Sequence, residues 1–240
     1  MNGQANFFRG GIAANLLDSI IAYWKFENNV LDSVDANDGV AYGVTYTDGL
    51  VGRKAVFNGS SSKVVIEDSV SNANFSFTDG VNDLPFSFSF IITWSDLNDG
   101  WIIDRRNITS GREYQVIYYQ GGLRFQLFGT SGSTQINAIM PFSPTIGLEY
   151  KMAFTYDASK SENGLKLYID KILQATTNTM VGVYNGMFWY GRPFTVGGAS
   201  WSSTVYFGGT IDELIVWRKG LTQENVDFIV DEQNLGNHLI

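Results

Sequence analysis

The chain has no cysteine, four prolines and a single histidine in 240 residues, and each shortage closes off a class of chemistry. Without cysteine there are no disulfides, no thiolate nucleophile and no cysteine-held metal, and the redox compartment is left undetermined. The lone histidine, His238, stands two residues from the last, Ile240. A serine–histidine–acid triad needs an imidazole held beside its nucleophile, and a chain end expected to fray supplies neither that base nor a zinc ligand. Positive charge is scarce as well: 16 Lys and Arg against 24 Asp and Glu leave a net charge of −8. The basic residues are scattered, which argues against a nucleic-acid partner. No window reaches the roughly 18 uninterrupted apolar residues of a membrane span, and the start Met1 to Asn6 lacks the basic and apolar regions of a secretory signal.

What is abundant is aromatic and small. Seventeen Phe, twelve Tyr and six Trp stand beside 26 Gly, with only 17% charged residues, a composition that favours aromatic-rich strands joined by tight turns. In Pro85 to Trp94 the residues Phe86, Phe88, Phe90, Ile92 and Trp94 recur at period two, with Ser and Thr between them. That pattern predicts a strand with one core face and one wet face. Leu123, Phe125 and Leu127 alternate with Arg124 and Gln126, and Leu165, Leu167 and Ile169 with Lys166, Tyr168 and Asp170. Asn98-Asp99-Gly100, Gln120-Gly121-Gly122 and Ser161 to Gly164 provide turns between strands. No long helical pattern interrupts the strands, which argues against parallel β-α-β units. One helix is expected near the end, capped by Thr222, with an apolar stripe of Val226, Ile229 and Val230 before Gly236, packed at the sandwich edge.

Residues 1–19 read as an arm, with adjacent Phe7 and Phe8 as a candidate partner-attachment element and a disordered tail as the alternative. Residues 20–240 read as one domain. Its segments resemble laminin-G-like domains of the concanavalin A-like lectin/glucanase superfamily, in order along the chain. Tyr23 to Glu27 with Asp32-Ser33 and Asn37-Asp38-Gly39 resembles the opening strand and loop, and Gly52 to Ser60 the following hairpin. Tyr150 to Asp157 and Leu165 to Asp170 resemble the central pair, Phe194 to Gly198 the penultimate strand, and Gly209-Thr210-Ile211-Asp212-Glu213 the closing one. Lys171 departs from the pattern, which has glycine there. The resemblance implies an all-β, antiparallel jelly-roll β-sandwich with a short C-terminal helix, in a family made mostly of binding modules.

The resemblance also directs two checks. Pentraxin-like relatives hold calcium through a paired Asp-Asn and a later acidic cluster, but Arg112 to Tyr114 and Ala199 to Ser203 offer a single acid here. Retaining glycosidases on the same sandwich carry two Glu on one strand face, about 5–5.5 Å apart. The nearest run, Ile211 to Leu214, has no second Glu two or three residues on. The domain is therefore expected to be no enzyme and to need no cofactor. Asp32, Asp35, Asn37 and Asp38, with Asp212 near the opening strand, leave structural calcium open beside ordinary side-chain-capped turns.

The candidate ligand-binding residues are Tyr184, Asn185, Trp189, Tyr190 and Arg192 in a glycine-broken loop, together with Trp201. Rings there stack on sugar faces while Asn185 and Arg192 supply hydrogen bonds; protein contact and plain packing are the competing readings. The function expected is a non-catalytic recognition or structural module. It is placed on a bacteriophage virion as a fibre, tail or capsid-decoration protein that contacts other virion proteins, binds host glycans and is a candidate homo-oligomer. The alternative is an extracellular or cell-surface carbohydrate-binding domain taken from a longer protein.

Overall fold

The computed structural model describes residues 15–67, 74–106, 111–129, 133–199, 202 and 204–240. Phe7, Phe8 and Trp201 lie outside the described residues. Sixteen strands among the described residues form two eight-stranded sheets with every pairing antiparallel.

The first sheet runs β13 (Ile172–Leu173), β12 (Leu165–Ile169), β11 (Glu149–Tyr156), β6 (Phe86–Trp94), β16 (Gly208–Trp217), β4 (Arg53–Asn58), β3 (Thr45–Asp48), and β1 (Ile20–Trp24) adds to β16. The second runs β14 (Thr177–Val181), β10 (Gln135–Pro141), β9 (Gly122–Phe128), β8 (Arg112–Tyr118), β7 (Gly100–Arg106), β15 (Phe194–Val196), β5 (Lys63–Ile66), β2 (Val40–Tyr42). Helix α1 (Gln223–Asn234) follows β16. This is the expected jelly-roll sandwich with its short C-terminal helix.

The core lies between the sheets. Phe86, Phe88, Phe90, Ile92 and Trp94 face Tyr114, Val116, Phe125 and Leu127 in one continuous apolar cluster, as the period-two reading requires. The opposite face of β6 is not wet: all nine of its residues are buried. Its small hydroxyls are consumed internally. Ser87 Oγ donates to Lys219 O at 2.7 Å and accepts from Leu221 N at 3.1 Å, and the Trp217 indole donates to Ser89 Oγ at 2.9 Å.

That outer face is covered by a second apolar cluster, in which Tyr23, Ala153, Tyr168, Ile215 and Trp217 of the sheet meet Leu16, Leu221, Val226, Ile229 and Val230. The helix thus packs on the sheet's face rather than its edge, because a strip of large side chains there must be removed from water. Within the segment read as an arm, Leu16 is fully buried in this cluster. Thr222 caps the helix with a reciprocal pair to Asn225.

Two turns show local chemistry at work. Gln120 and Gly121 both have positive φ, 50° and 71°, and close a two-residue hairpin. Asp170 and Lys171 do the same at 47° and 75° without any glycine. Strand β16 pairs β4 through Gly208–Ile211 and β1 through Leu214–Trp217. Its register against β6 shifts between Asp212 and Ile215, and Glu213 takes φ 51° in that bulge.

Candidate functional site

The loop from β14 to β15 carries most of the expected ligand residues and is pinned from below at two points. Asp83, itself buried, accepts the Tyr156 hydroxyl at 2.7 Å and the Tyr184 hydroxyl at 2.9 Å on one oxygen, and Met187 N at 2.7 Å on the other. Gly186, at φ 117°, lets the chain pass: a Cβ there would stand 2.9 Å from Asp83 Oδ1. Burial first, then the Asp83 charge, holds the Tyr184 hydroxyl far above its ordinary pKa, so it stays a donor.

The second pin is Glu113. Its carboxylate is enclosed, pairs with the buried Arg105 at 3.0 Å, takes the Ser76 hydroxyl at 2.9 Å, and accepts Tyr190 N at 3.0 Å. Burial pushes the Glu113 carboxyl upward, and Arg105 opposes that shift. A buried pair of this kind is stabilised by further hydrogen bonds to its free lone pairs, which Ser76 and Tyr190 provide. The Tyr190 ring lies over Gly111, where a Cβ would come within 2.4 Å of the ring.

Between the pins the chain presents its rings. Phe188 is 48% exposed and meets Tyr190 at 5.0 Å between ring centres, tilted by 59°. Asn185 is exposed, and Trp189, Tyr190 and Arg192 are half-buried. Tyr184, by contrast, is turned into the core cluster. The loop therefore carries Asn185, Trp189, Tyr190 and Arg192 with solvent access on one segment, adds Phe188 against Tyr190, and uses Tyr184 as a foundation.

A second polar feature crosses the outer face of the second sheet. The Trp101 indole donates to Gln115 Oε1 at 3.3 Å; Gln115 Nε2 donates to Gln126; Gln126 Nε2 donates to Asn137 Oδ1 at 2.8 Å; and Asn137 Nδ2 donates to Thr179 Oγ1 at 3.0 Å. The row spans β7, β8, β9, β10 and β14. Each amide spends one N–H on its neighbour and keeps a second. Arg106 over Trp101 at 5.1 Å and Arg124 over Tyr119 at 4.6 Å flank it.

The acidic loop after β1 is occupied with its own backbone. Asp32 accepts Tyr23 N at 2.8 Å and Val34 N at 3.0 Å on Oδ1, and the Asn37 side chain at 2.8 Å on Oδ2, while Asp38 accepts Asp32 N at 2.8 Å. His238 is not frayed. Its Nδ1 lies 2.8 Å from Glu213 Oε1, the Tyr23 hydroxyl donates to the same carboxylate, and Leu239 N donates to Tyr23 at 3.3 Å. Asp212 and Glu213 are 1% and 0% exposed.

The family model described as the concanavalin A-like lectin/glucanases superfamily matches residues 58–227. The chain belongs to this superfamily. No curated protein matches it. Among solved structures, domain 4 of AbnA, an extracellular arabinanase from Geobacillus stearothermophilus solved with arabinotriose, superposes with a TM-score of 0.64 at 18% identity, over 88% of this chain and 98% of that one. The binding domain of botulinum neurotoxin serotype D gives 0.67 at 16% identity over 92% of this chain, and that of Paraclostridial Mosquitocidal Protein 1 gives 0.70 at 14% over 90%. The chain spans about half of each toxin structure, 53% and 52%. At these identities the likeness is one of fold.

Sequence reading missed Asp83, Glu113, Phe188 and the amide row in this concanavalin A-like sandwich. A signal for the row existed. Once Gln120-Gly121 is a two-residue turn, counting outward from Tyr119 and Gly122 sets Gln115 opposite Gln126, as the structure has it.

Proposed function

We propose that this domain is a non-catalytic carbohydrate-recognition module that holds its ligand at the β14–β15 loop. The observation that carries the reading is the Phe188–Tyr190 ring pair, partly open to solvent and fixed by Asp83 and Glu113. A loop already held in place loses little conformational freedom when it binds, and flat rings suit the apolar faces of pyranose and furanose sugars. Asn185, Trp189 and Arg192 supply polar contacts and further ring surface, and Trp201, outside the described residues, is proposed as a contact on its sequence position alone. The enclosure of Asp212 and Glu213, the acidic pair nearest to a glycosidase pattern, removes them from any substrate.

A net charge of −8 repels polyanions, so the ligand is a neutral glycan. The arabinotriose complex of the AbnA domain supports a neutral oligosaccharide as the first candidate. A place for the module on a virion rests on the sequence reading alone. The test is a glycan-array screen, followed by titration of the best neutral ligand into wild type and the Phe188→Ala/Tyr190→Ala double variant. A loss of tenfold or more with unchanged thermal stability supports the loop. Undiminished binding by the double variant moves the site elsewhere, and no binding to any glycan overturns the reading.

A further inference from the structure

The sequence holds four Asn-Gly pairs: Asn2-Gly3, Asn58-Gly59, Asn163-Gly164 and Asn185-Gly186. Glycine carries no Cβ, so nothing screens its backbone nitrogen from the side-chain amide of the asparagine before it. Asparagine is a thermolabile residue, and this pairing leaves it open to attack unless the structure ties up the amide or the nitrogen. Asn2 lies outside the described residues. The other three pairs are held very differently.

Asn58 is locked on every side. Its Oδ1 accepts Ser60 N at 2.9 Å, Ser61 N at 2.9 Å and Ser62 N at 3.0 Å, its Nδ2 donates to Ser61 Oγ at 2.9 Å, and Gly59 N donates to Phe207 O at 3.2 Å. After Asn163 the nitrogen is spent, since Gly164 N donates to Ser161 O at 3.0 Å within a 3₁₀ turn. Asn185 is exposed, and neither its side-chain amide nor Gly186 N has a hydrogen-bond partner among the described residues. The pair is framed by two anchors on one carboxylate: the Tyr184 hydroxyl donates to Asp83 Oδ2 at 2.9 Å, and Met187 N donates to Asp83 Oδ1 at 2.7 Å. Glycine is required between them, because at φ 117° a Cβ would stand 2.9 Å from Asp83 Oδ1. The packing that demands Gly186 is what leaves Asn185 unprotected.

We propose that Asn185-Gly186 is a modification site, at which the β14–β15 loop deamidates spontaneously with water as the only co-reactant and so loosens its own hold on Asp83. Gly186 N attacks Asn185 Cγ: the N–Cγ bond forms, the Cγ–Nδ2 bond breaks, and the proton of Gly186 N leaves with Nδ2 as ammonia. The product is a cyclic succinimide. Water opens the ring at either carbonyl, giving aspartate at position 185 or isoaspartate, in which the main chain runs through the former side chain. One water enters and one ammonia leaves, and nothing is oxidised or reduced. Isoaspartate inserts a methylene into the main chain between two contacts made to a single carboxylate, and both products set a new negative charge near the buried Asp83. The Tyr184 and Met187 bonds are then no longer satisfied together. The reaction does not depend on what the loop binds, but any ligand held there is held less firmly by aged protein than by fresh.

The experiment ages the whole chain at pH 8 and 37 °C, and peptide mapping by mass spectrometry follows the gain of about 1 Da that marks each deamidated asparagine. A second sample, unfolded in guanidinium chloride, supplies the unprotected rate at each pair. In the folded chain Asn185 is expected to react within roughly threefold of its unfolded rate, and Asn58 and Asn163 at least about tenfold more slowly than theirs. An enzyme that methylates isoaspartate labels the product at position 185. Aged wild type melts roughly 2–5 °C below fresh protein. Asn185→Gln, whose longer side chain must close a larger ring and so cyclises far more slowly, melts at the same temperature fresh and aged. Folding that slows Asn185 as much as Asn58 overturns the site. A Tm that falls equally on ageing in wild type and Asn185→Gln, or that stays put in wild type modified at position 185, overturns the release from Asp83.

Discussion

Asp83 shows how one buried side chain sets the shape of a surface. Its three hydrogen bonds reach Tyr156 on β11 and Tyr184 and Met187 in the β14–β15 loop, at 73, 101 and 104 positions from Asp83 in sequence. Asp83→Ala leaves three donors unpaired in a buried place, at a cost of about 3 kcal/mol or more, read by urea denaturation. Asp83→Asn keeps the acceptor oxygen and is expected to cost less than half as much. At Asp212 the expected outcome is a pH dependence. Its carboxyl is held at about 9 in the folded chain, above the unfolded value, so its stabilising share is complete in acid and is lost as pH rises toward about 9. The Tm of wild type should therefore fall between pH 5 and pH 9 more steeply than that of Asp212→Asn. Glu213 and Glu113 are also raised and contribute the same sign, so Asp212's share is the difference between the two curves.

At the scale of elements, the turn Asp170-Lys171 holds two non-glycine residues in the left-handed region. Lys171 recovers part of that cost by pairing with Asp231 of the helix. This pair is partly exposed and worth little, while a left-handed non-glycine costs about 1–2 kcal/mol. Lys171→Gly should accordingly raise stability by roughly 0.5 kcal/mol, measured by chemical denaturation, and a loss would mean that the contact to the helix outweighs the backbone. Thr222→Ala removes the helix cap and should cost about 1 kcal/mol.

Legibility in the sequence divides along the same lines. Period two marked the inner face of β6 because Phe and Ser differ so much in cost of burial. It could not mark the outer face, where Ser87 and Ser89 look like solvent residues and are in fact partners for a loop and an indole. The aromatic loop was visible from its rings and glycines, but not the inward turn of Tyr184, which depends on an acid a hundred positions away.

For the whole molecule, the opening strand and the C-terminal tail converge on the first sheet. His238, Leu239 and Tyr23 meet around Glu213, and Lys25 Nζ donates to Ile240 O at 2.6 Å. Deleting residues 237–240 strips Glu213 of its imidazole and uncovers Tyr23; the expected loss is roughly 2–3 kcal/mol, seen as a lower urea midpoint with binding at the proposed β14–β15 site unchanged. Such a result would separate the stabilising end of the sandwich from the loop proposed to bind.

The placement of β16 has a bearing on how the protein is made. This strand sits in the middle of the first sheet, between β6 and both β4 and β1, although it is the last strand in the chain. During synthesis β6, apolar along its inner face, waits for a neighbour more than a hundred residues downstream. Over that interval a nascent chain exposes a long, unpaired, phenylalanine-rich edge, the sort of surface that holding chaperones cover and that crowded chains stick together by. Slow, late-closing assembly is thus written into the strand order, and conditions that speed translation beyond folding would be expected to send this protein into inclusion bodies.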